Sequence, residues 1–85
     1  MPYWVYILQS RSTGRYYVGQ TNALDQRLRR HNEGRTEANR GRGPWCLVYQ
    51  EEFPTRQAAV VRERAIKARK SRAYIQTLCS RAREG

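Results

Sequence analysis

The chain has 85 residues, a formal net charge of +10 and an apolar share of 39%. This length predicts one domain over residues 1–85, because domains usually contain roughly 50–200 residues. The sequence has no run of about 18 apolar residues and no basic, cleavable signal segment at its start. We therefore expect no membrane-spanning segment, no membrane partner and a cytoplasmic location.

The charge is strongly unbalanced, with 17 Lys and Arg against 7 Asp and Glu. Such an excess predicts attraction to a polyanion, with nucleic acid as the first expectation and an anionic membrane surface as the weaker one. A compositional bias toward Arg is the alternative explanation. Cys46 and Cys79 match no metal-binding spacing, so we expect reduced thiols rather than a zinc site.

The N-terminal segments predict a β-hairpin. Residues 3–10 are rich in β-branched and aromatic side chains, residues 12–14 (STG) are typical of a turn, and residues 15–20 resume strand character. The pairing brings the triplets VYI and YVG side by side. Tyr6 and Tyr17 are therefore predicted to be neighbours.

A helix is predicted next, with Asn22 as its N-cap, Asp25 in the capping-box position and Gly34 at its end. Residues 35–44 combine Gly with Arg and predict a mobile basic loop. The arginines of this loop are Arg35, Arg40 and Arg42.

Residues 45–53 predict a third strand, with Trp45, Leu47 and Tyr49 on one face. Thr55 is expected to cap a second helix that runs to about Lys70. Ser71 is expected to cap a last helix, whose apolar stripe comprises Tyr74, Ile75, Leu78 and Ala82. The order ββαβαα predicts an α/β fold in which helices flank a small three-stranded antiparallel sheet.

The first helix departs from ordinary amphipathic patterning. Its inward stripe consists of Leu24, Arg27, Leu28 and His31. A guanidinium in such a position costs free energy unless it meets an anion or several acceptors. One interpretation is an anion site facing the hairpin; the other is an Arg27 that extends to solvent and a His31 satisfied at the helix end.

Glu63 is the acid in the central turns of the second helix, between Ala59 and Ile66 on the border of the apolar arc. An i,i+4 ion pair with Lys67 on the surface is the safer interpretation. If the C-terminal half holds a metal ligand, Glu63 is the leading candidate.

Four strings, VYIL, YYVGQTNALDQRLRRHNEG, PWCLVY and AAVVRERAIK, occur in this order. Together they resemble the GIY-YIG nuclease superfamily, in particular its small single-domain bacterial members of unassigned cellular role. The resemblance covers about residues 3–70. It implies that Tyr6 and Tyr17 are the tyrosines of the two motifs, and that Gly19 allows close approach of the backbone to the site.

The resemblance also implies roles for three helical residues. Arg27 matches the arginine that stabilises charge on the scissile phosphate, and His31 matches a histidine that relays a proton or orients a tyrosine. Glu63 matches the glutamate that supplies the sole protein carboxylate to one divalent metal, Mg²⁺ or Mn²⁺. The physical chemistry agrees, because a hard cation accepts carboxylate, water and phosphate oxygens. The identity of the general base stays open.

Two positions depart from the pattern of the family. Many members carry Lys directly after the Gly of the second motif, where this chain has Gln20, which excludes a lysine-assisted mechanism. Members with full nuclease machinery often have Asn about a dozen residues after the metal-binding Glu. Here that region reads IQT, and Gln76 is the candidate substitute.

The function that these observations favour is a metal-dependent endonuclease, acting on the structure of DNA rather than on a long sequence, in DNA repair or recombination. A chain this short has little surface for specifying many base pairs. No small-molecule cofactor is expected. The residues expected to contact nucleic acid are Arg35, Arg40, Arg42, Lys67 and Lys70. The alternatives are a non-catalytic nucleic-acid-binding module with the same fold, or an adaptor that docks through its tyrosine-rich sheet.

Overall fold

A computed structural model describes residues 2–33 and 44–84, with the side chains of residues 82–84 left out. The elements follow the order ββαβαα, which confirms the predicted fold class. They are β1 (Tyr3–Ser10), β2 (Tyr16–Thr21), α1 (Leu24–Asn32), β3 (Trp45–Phe53), α2 (Arg56–Ala68) and α3 (Arg72–Glu84). The predicted basic loop, with Arg35, Arg40 and Arg42, lies outside the described residues, as does Gly34.

The three strands form an antiparallel sheet in the order β2-β1-β3. The central strand β1 is apolar on both faces because helices cover both sides of the sheet. Val5 and Ile7 pack with residues of α2, whereas Tyr6 and Leu8 pack in a second cluster with residues of α1. This alternation places the Tyr6 side chain in the layer beneath α1.

The face predicted for the third strand is only partly right. Trp45 and Leu47 belong to the cluster beneath α1, but Tyr49 packs in the cluster beneath α2. The register between β1 and β3 shifts between Ile7 and Leu8, because Ile7 pairs with Tyr49 and Leu8 pairs with Leu47. This irregularity inserts one residue and reverses the alternation beyond it.

The predicted N-cap of the first helix is wrong. Asn22 precedes the helix by two residues, and the capping position is held by Ala23, whose side chain makes no capping hydrogen bond. Instead, the Thr21 hydroxyl accepts a hydrogen bond from the Ala23 backbone N–H at 3.0 Å. A short polar turn after β2 therefore replaces the capping box.

The caps of the later helices are confirmed. The Thr55 hydroxyl accepts from the Ala58 N–H at 3.2 Å, and the Ser71 hydroxyl accepts from the Tyr74 N–H at 3.1 Å. The predicted stripe of α3 packs on the core through Tyr74, Ile75 and Leu78, while the side chain of Ala82 lies outside the described part. None of the described helices is long and apolar enough to cross a membrane.

The end of α1 is fixed to the start of β3 by a reciprocal pair of hydrogen bonds. The Asn32 amide nitrogen donates to the Trp45 carbonyl at 3.2 Å, and the Trp45 N–H donates to the Asn32 side-chain oxygen at 2.6 Å. Since His31 precedes Asn32, this pair also fixes the histidine over the sheet.

Candidate active site

Tyr6, Tyr17 and His31 form one aromatic cluster between the hairpin and α1. The ring centroids of Tyr6 and Tyr17 are 6.2 Å apart, and those of Tyr17 and His31 are 4.6 Å apart. The Tyr6 hydroxyl lies 3.2 Å from His31 Nε2, within hydrogen-bonding distance. The predicted neighbourhood of the two tyrosines is therefore confirmed, and the inward histidine of α1 completes it.

Gly19 provides the space for the Tyr6 phenol. The two residues are paired across the hairpin. A Cβ on Gly19 would lie 2.6 Å from the Tyr6 hydroxyl oxygen and 2.7 Å from Cζ, closer than non-bonded atoms can approach. The requirement is steric, since a side chain here would fill the space that the phenol occupies.

Three neighbouring side chains act electrostatically on this phenol. Burial raises the pKa of Tyr6 well above its ordinary value, and the neighbouring Tyr17 and Glu63 raise it further, whereas Arg27 lowers it. The hydroxyl is therefore protonated at neutral pH. Tyr17 on β2, Arg27 on α1 and Glu63 on α2 are therefore near enough to the phenol to act on its pKa.

His31 is buried, with a relative exposure of 1%. Burial lowers its pKa, and the positive charge of Arg27 lowers it further. The imidazole is accordingly neutral at pH 7, so that one ring nitrogen can accept a hydrogen bond while the other donates. The interpretation of His31 as a satisfied helix-end histidine and its interpretation as a site residue are both compatible with this contact.

The lowered pKa of His31 predicts a pH-dependent stability. Unfolding raises the pKa toward about 6.5, so the unfolded chain binds a proton that the native chain does not, and stability falls as pH drops below that value. Relative to His31→Gln, we expect wild type to lose up to about 1.4 kcal/mol per pH unit between about pH 6.5 and 5. Urea unfolding across this range measures it, and His31 is the one histidine of the chain. Parallel curves for the two proteins would contradict the expectation.

Arg27 is half-buried, and it lines a surface depression of about 180 Å³ together with Arg30, Gln26 and residues of the turn after β2. Two guanidinium groups at one polar depression favour an anion there. Arg30 was not among the residues that the sequence predicts at the site. The helical spacing of three residues between Arg27 and Arg30 is the signal that could have joined them.

Glu63 forms the ion pair expected of it, and its role as a metal ligand stays a prediction. Its carboxylate accepts from Lys67 Nζ at 3.0 Å, which confirms the predicted i,i+4 pair, yet its side chain is only 18% exposed against 54% for Lys67. The same carboxylate raises the pKa of Tyr6. Glu63 is thus a largely buried carboxylate that pairs with the exposed ammonium of Lys67 and also acts electrostatically on the Tyr6 phenol.

The rotation of α2 is fixed by the residue next to Glu63. The Arg62 guanidinium donates through Nε to Glu51 on β3 at 3.2 Å and through Nη1 to the Tyr74 hydroxyl of α3 at 3.4 Å. These contacts, together with the burial of Ala59 and Ile66, orient α2 on the sheet. The orientation of Glu63 follows from that packing.

The donor set fits a water-rich site for a hard divalent cation. Within the described residues, no group of three or more His, Cys, Asp and Glu side chains could enclose a metal. A single carboxylate, that of Glu63, suits Mg²⁺ or Mn²⁺, because such ions retain several waters and accept phosphate oxygens from a substrate. In the part of the chain that the structure describes, the ligands that a four-coordinate zinc site requires are not brought together.

Gln20 occupies the position where many GIY-YIG members carry Lys. Its side-chain oxygen is buried and has no hydrogen-bond partner among the described residues. Gln20 pairs with Val5 across the hairpin, which directs its side chain to the α2 face of the sheet. The amide is thus an uncharged acceptor next to Gly19, and it cannot supply the positive charge of a lysine.

Of the residues predicted to contact nucleic acid, Lys67 and Lys70 belong to the described part of the chain, and the three loop arginines do not. Lys67 and Lys70 lie on the rim of a groove of about 470 Å³ between β2 and the junction of α2 with α3. The groove also includes Arg15, Tyr16 and Arg72, which sequence reasoning did not select. No sequence signal joins them, because Tyr16 and Arg72 are far apart in the chain and meet only in the fold.

Comparisons with known proteins agree with this architecture. A family model described as the GIY-YIG catalytic domain matches residues 2–76. A UPF0213 protein of Clostridium perfringens is 38% identical over 80 residues, covering 93% of this chain and 85% of the relative. A UPF0213 protein of Haloquadratum walsbyi is 42% identical over 67 residues, covering 78% of this chain and 74% of the relative.

A solved structure shares the fold. The solution NMR structure of a UPF0213 protein from Bacillus halodurans matches with a TM-score of 0.58 and 36% identity, covering 94% of this chain and 84% of that chain. The names of these three proteins state no activity.

Proposed function

This chain belongs to the GIY-YIG family, and from that premise we propose that it is a metal-dependent endonuclease that hydrolyses phosphodiester bonds in DNA. The observation that supports the proposal most is the convergence of chemically complementary groups from three elements on one phenol. The Tyr6 hydroxyl contacts His31, the charge of Arg27 lowers the pKa of both residues, and the charge of Glu63 on α2 raises that of Tyr6.

Arg27 is the residue proposed to hold the scissile phosphate. Hydrolysis places extra negative charge on the phosphorus oxygens, and a guanidinium can pair with two of them at once. Arg30 at the same depression supplies a second positive charge for the neighbouring backbone. Both arginines project from α1, so the DNA strand is proposed to lie along that helix, beside the turn that precedes it.

Tyr6 and His31 are proposed to move the proton of the attacking water. The Tyr6 phenol is protonated and His31 is neutral, so the Tyr6 proton can pass to His31 Nε2 while the Tyr6 oxygen takes a proton from water. The resulting hydroxide adds to phosphorus and the bond to the leaving oxygen breaks. That oxygen takes up a proton from solvent water, and His31 returns its extra proton to solvent, which restores the protonation of the site. The relay needs the His31 tautomer that carries its proton on Nδ1.

Glu63 is the residue that would hold Mg²⁺ or Mn²⁺. When bound there, the cation supplies Lewis acidity toward the phosphate and helps to lower the pKa of water. Binding of the metal requires that Lys67 release the Glu63 carboxylate. Breaking this pair costs little free energy, because its ammonium is exposed to solvent.

The test of the proposal is metal-dependent nicking of branched or single-stranded DNA by the purified protein, with chelator as control. Arg27→Lys keeps the charge but loses the paired contact, so we expect roughly a 10²-fold lower rate. The matched control is Arg29→Lys, an exposed position on the same helix. Equal rates for the two variants would contradict the role of Arg27.

A second function is favoured by a specific observation. The Glu63 carboxylate is already paired with Lys67, and Gln20 replaces the lysine of many relatives. A non-catalytic nucleic-acid-binding module would show both features. It predicts salt-sensitive DNA binding that persists after loss of Glu63, without nicking of any substrate by the wild-type protein.

A further inference from the structure

The groove between β2 and the α2–α3 junction combines a buried apolar floor with a cationic rim. Val18 and Ile66 have relative exposures of 7% and 1%, and Ile75 packs beside them. Arg15, Lys67, Lys70 and Arg72 are the charged residues of its lining, and none of the described lining residues is acidic. An apolar floor beneath a purely cationic rim is complementary to a flat, hydrophobic group that carries phosphates.

One wall of the groove is aromatic and supported by a guanidinium. The Arg72 Cζ atom lies 5.2 Å from the Tyr16 ring centroid. Gly14 lies against this arginine, since a Cβ there would be 3.4 Å from Arg72 Nη2. The pair presents two planar surfaces, tyrosine and guanidinium, of the kind on which nucleobases stack.

Lys70 adopts a backbone conformation that lysine disfavours. It follows the C-cap Arg69 of α2 with φ at 48°, in the left-handed region that helices usually assign to glycine at this position. Its N–H donates to the Lys67 carbonyl at 3.2 Å, which closes the turn. A strained lysine where glycine would fold more easily indicates a use for the side chain at the rim.

The groove adjoins the candidate active site. Tyr17 belongs to the groove lining and to the aromatic cluster with His31, and Lys67 belongs to the rim while it pairs with Glu63. A nucleotide in the groove would therefore lie beside Tyr17 and the Lys67–Glu63 pair of the candidate active site. The groove volume of about 470 Å³ is in the range of small-ligand pockets and too small for a duplex.

We infer that this groove binds an unpaired nucleotide next to the scissile phosphate, its base on the apolar floor and Tyr16 wall and its phosphates on the rim. The inference rests on the proposed nuclease function, because a scissile phosphate exists only if the protein cuts its substrate. It specifies the substrate class as DNA with a single-stranded segment at the cut. A base stacked inside a duplex cannot enter the groove without leaving the stack.

The test compares three variants that each lose one positive charge: Lys70→Gly, Arg72→Gln, and the control Arg64→Gln at an exposed position of α2 outside the groove lining. The probes are a short fluorescein-labelled single-stranded oligonucleotide, its blunt duplex and an abasic strand of equal length. We expect both groove variants to bind the single strand about fivefold more weakly than the control, with a salt slope shallower by about 0.7 per lost contact. The loss on the blunt duplex is expected to match that of the control. The abasic strand, which keeps its phosphates but has no bases to stack, is expected to bind the wild-type protein more weakly than the normal strand.

Lys70→Gly separates binding from folding. Because glycine is unstrained at this φ, the midpoint of thermal unfolding is expected to stay or rise while affinity falls. Three results would each overturn the inference. They are a loss of affinity by the groove variants that is equal on single strand and duplex, wild-type binding of the abasic strand as tight as that of the normal strand, and groove variants that bind the single strand like the control. A concentration-dependent dimer that Lys70→Gly dissociates would assign the groove to a second copy and would also overturn it.

The outcome is distinguishable from failure of the proposed function. Glu63→Gln is expected to lose nicking and to keep the groove-dependent binding. If the wild-type protein nicks DNA but the groove variants bind single strands like the control, the nuclease function would stand and this inference would fail. Groove-dependent single-strand binding without nicking by any protein would retain the binding site and remove the nuclease.

Discussion

Replacing Glu63 by glutamine is expected to lower the rate of metal-dependent nicking by roughly 10³-fold or more, because no other carboxylate joins the described cluster. The substitution removes the negative charge and keeps the size of the side chain. The fold should persist, since an i,i+4 ion pair with an exposed partner contributes less than about 1 kcal/mol. Single-turnover nicking with Mg²⁺ or Mn²⁺ measures the effect.

The matched control is Glu52→Gln, an exposed glutamate on β3. A readout independent of activity is the broadening of NMR signals by Mn²⁺. Wild type and Glu52→Gln should show broadening of the Tyr6 and His31 side-chain signals, and Glu63→Gln should not. Equal nicking by all three proteins would identify a contaminating nuclease, and broadening that survives in Glu63→Gln would place the metal elsewhere.

Gly19→Ala is expected to damage the site without removing any reactive group. The added methyl would lie 2.6 Å from the hydroxyl of Tyr6 and 3.1 Å from Tyr17 Cε1. Tyr6 has a relative exposure of 1% and is in contact with His31, so it cannot move outward without losing packing. We expect a loss of about 1–3 kcal/mol in the free energy of unfolding, and a loss of nicking of roughly 10²-fold from the displaced phenol.

The control for this steric argument is a double-mutant cycle with Tyr6→Phe. Removing the hydroxyl relieves the shortest contact but leaves Cζ at 2.7 Å, so stability should recover in part. Nicking should not recover, since the proposed proton relay needs the Tyr6 oxygen. Strictly additive losses of stability in urea unfolding would show that the new methyl does not meet Tyr6.

Much of the fold could be predicted because its signals are local. The hairpin follows from two apolar strands on either side of a turn. The caps Thr55 and Ser71 follow from hydroxyl side chains that accept a hydrogen bond from the backbone N–H three residues later. The two errors were also local in origin. Asn22 was displaced by the Thr21 turn, and Tyr49 changed faces because of a register shift that strand alternation cannot reveal.

The candidate site could be predicted where one helix carries the signal. Arg27 and His31 stand one turn apart at inward positions, so their shared direction follows from the helical period. The role of Glu63 was ambiguous in the sequence, since its position on the border of the apolar arc of α2 suits an i,i+4 ion pair with Lys67 as well as a metal ligand. The packing of α2, fixed by Arg62 on Glu51, places Glu63 near enough to Tyr6 to act on its pKa while the ion pair with Lys67 is kept.

The sequence alone determined the order of the elements, the family, the inward Arg27 and His31, and the excess of positive charge, because composition and short-range periodicity carry these properties. The tertiary structure decided which of those charges meet. It placed Glu63 of α2 near enough to act on Tyr6, whose phenol packs on the α1 face of the sheet. It also placed Gly19 against the Tyr6 hydroxyl. It also joined Arg15, Tyr16, Lys70 and Arg72 around one groove. Such meetings depend on strand register and helix rotation, which are set by the packing of the whole core rather than by any neighbouring residues.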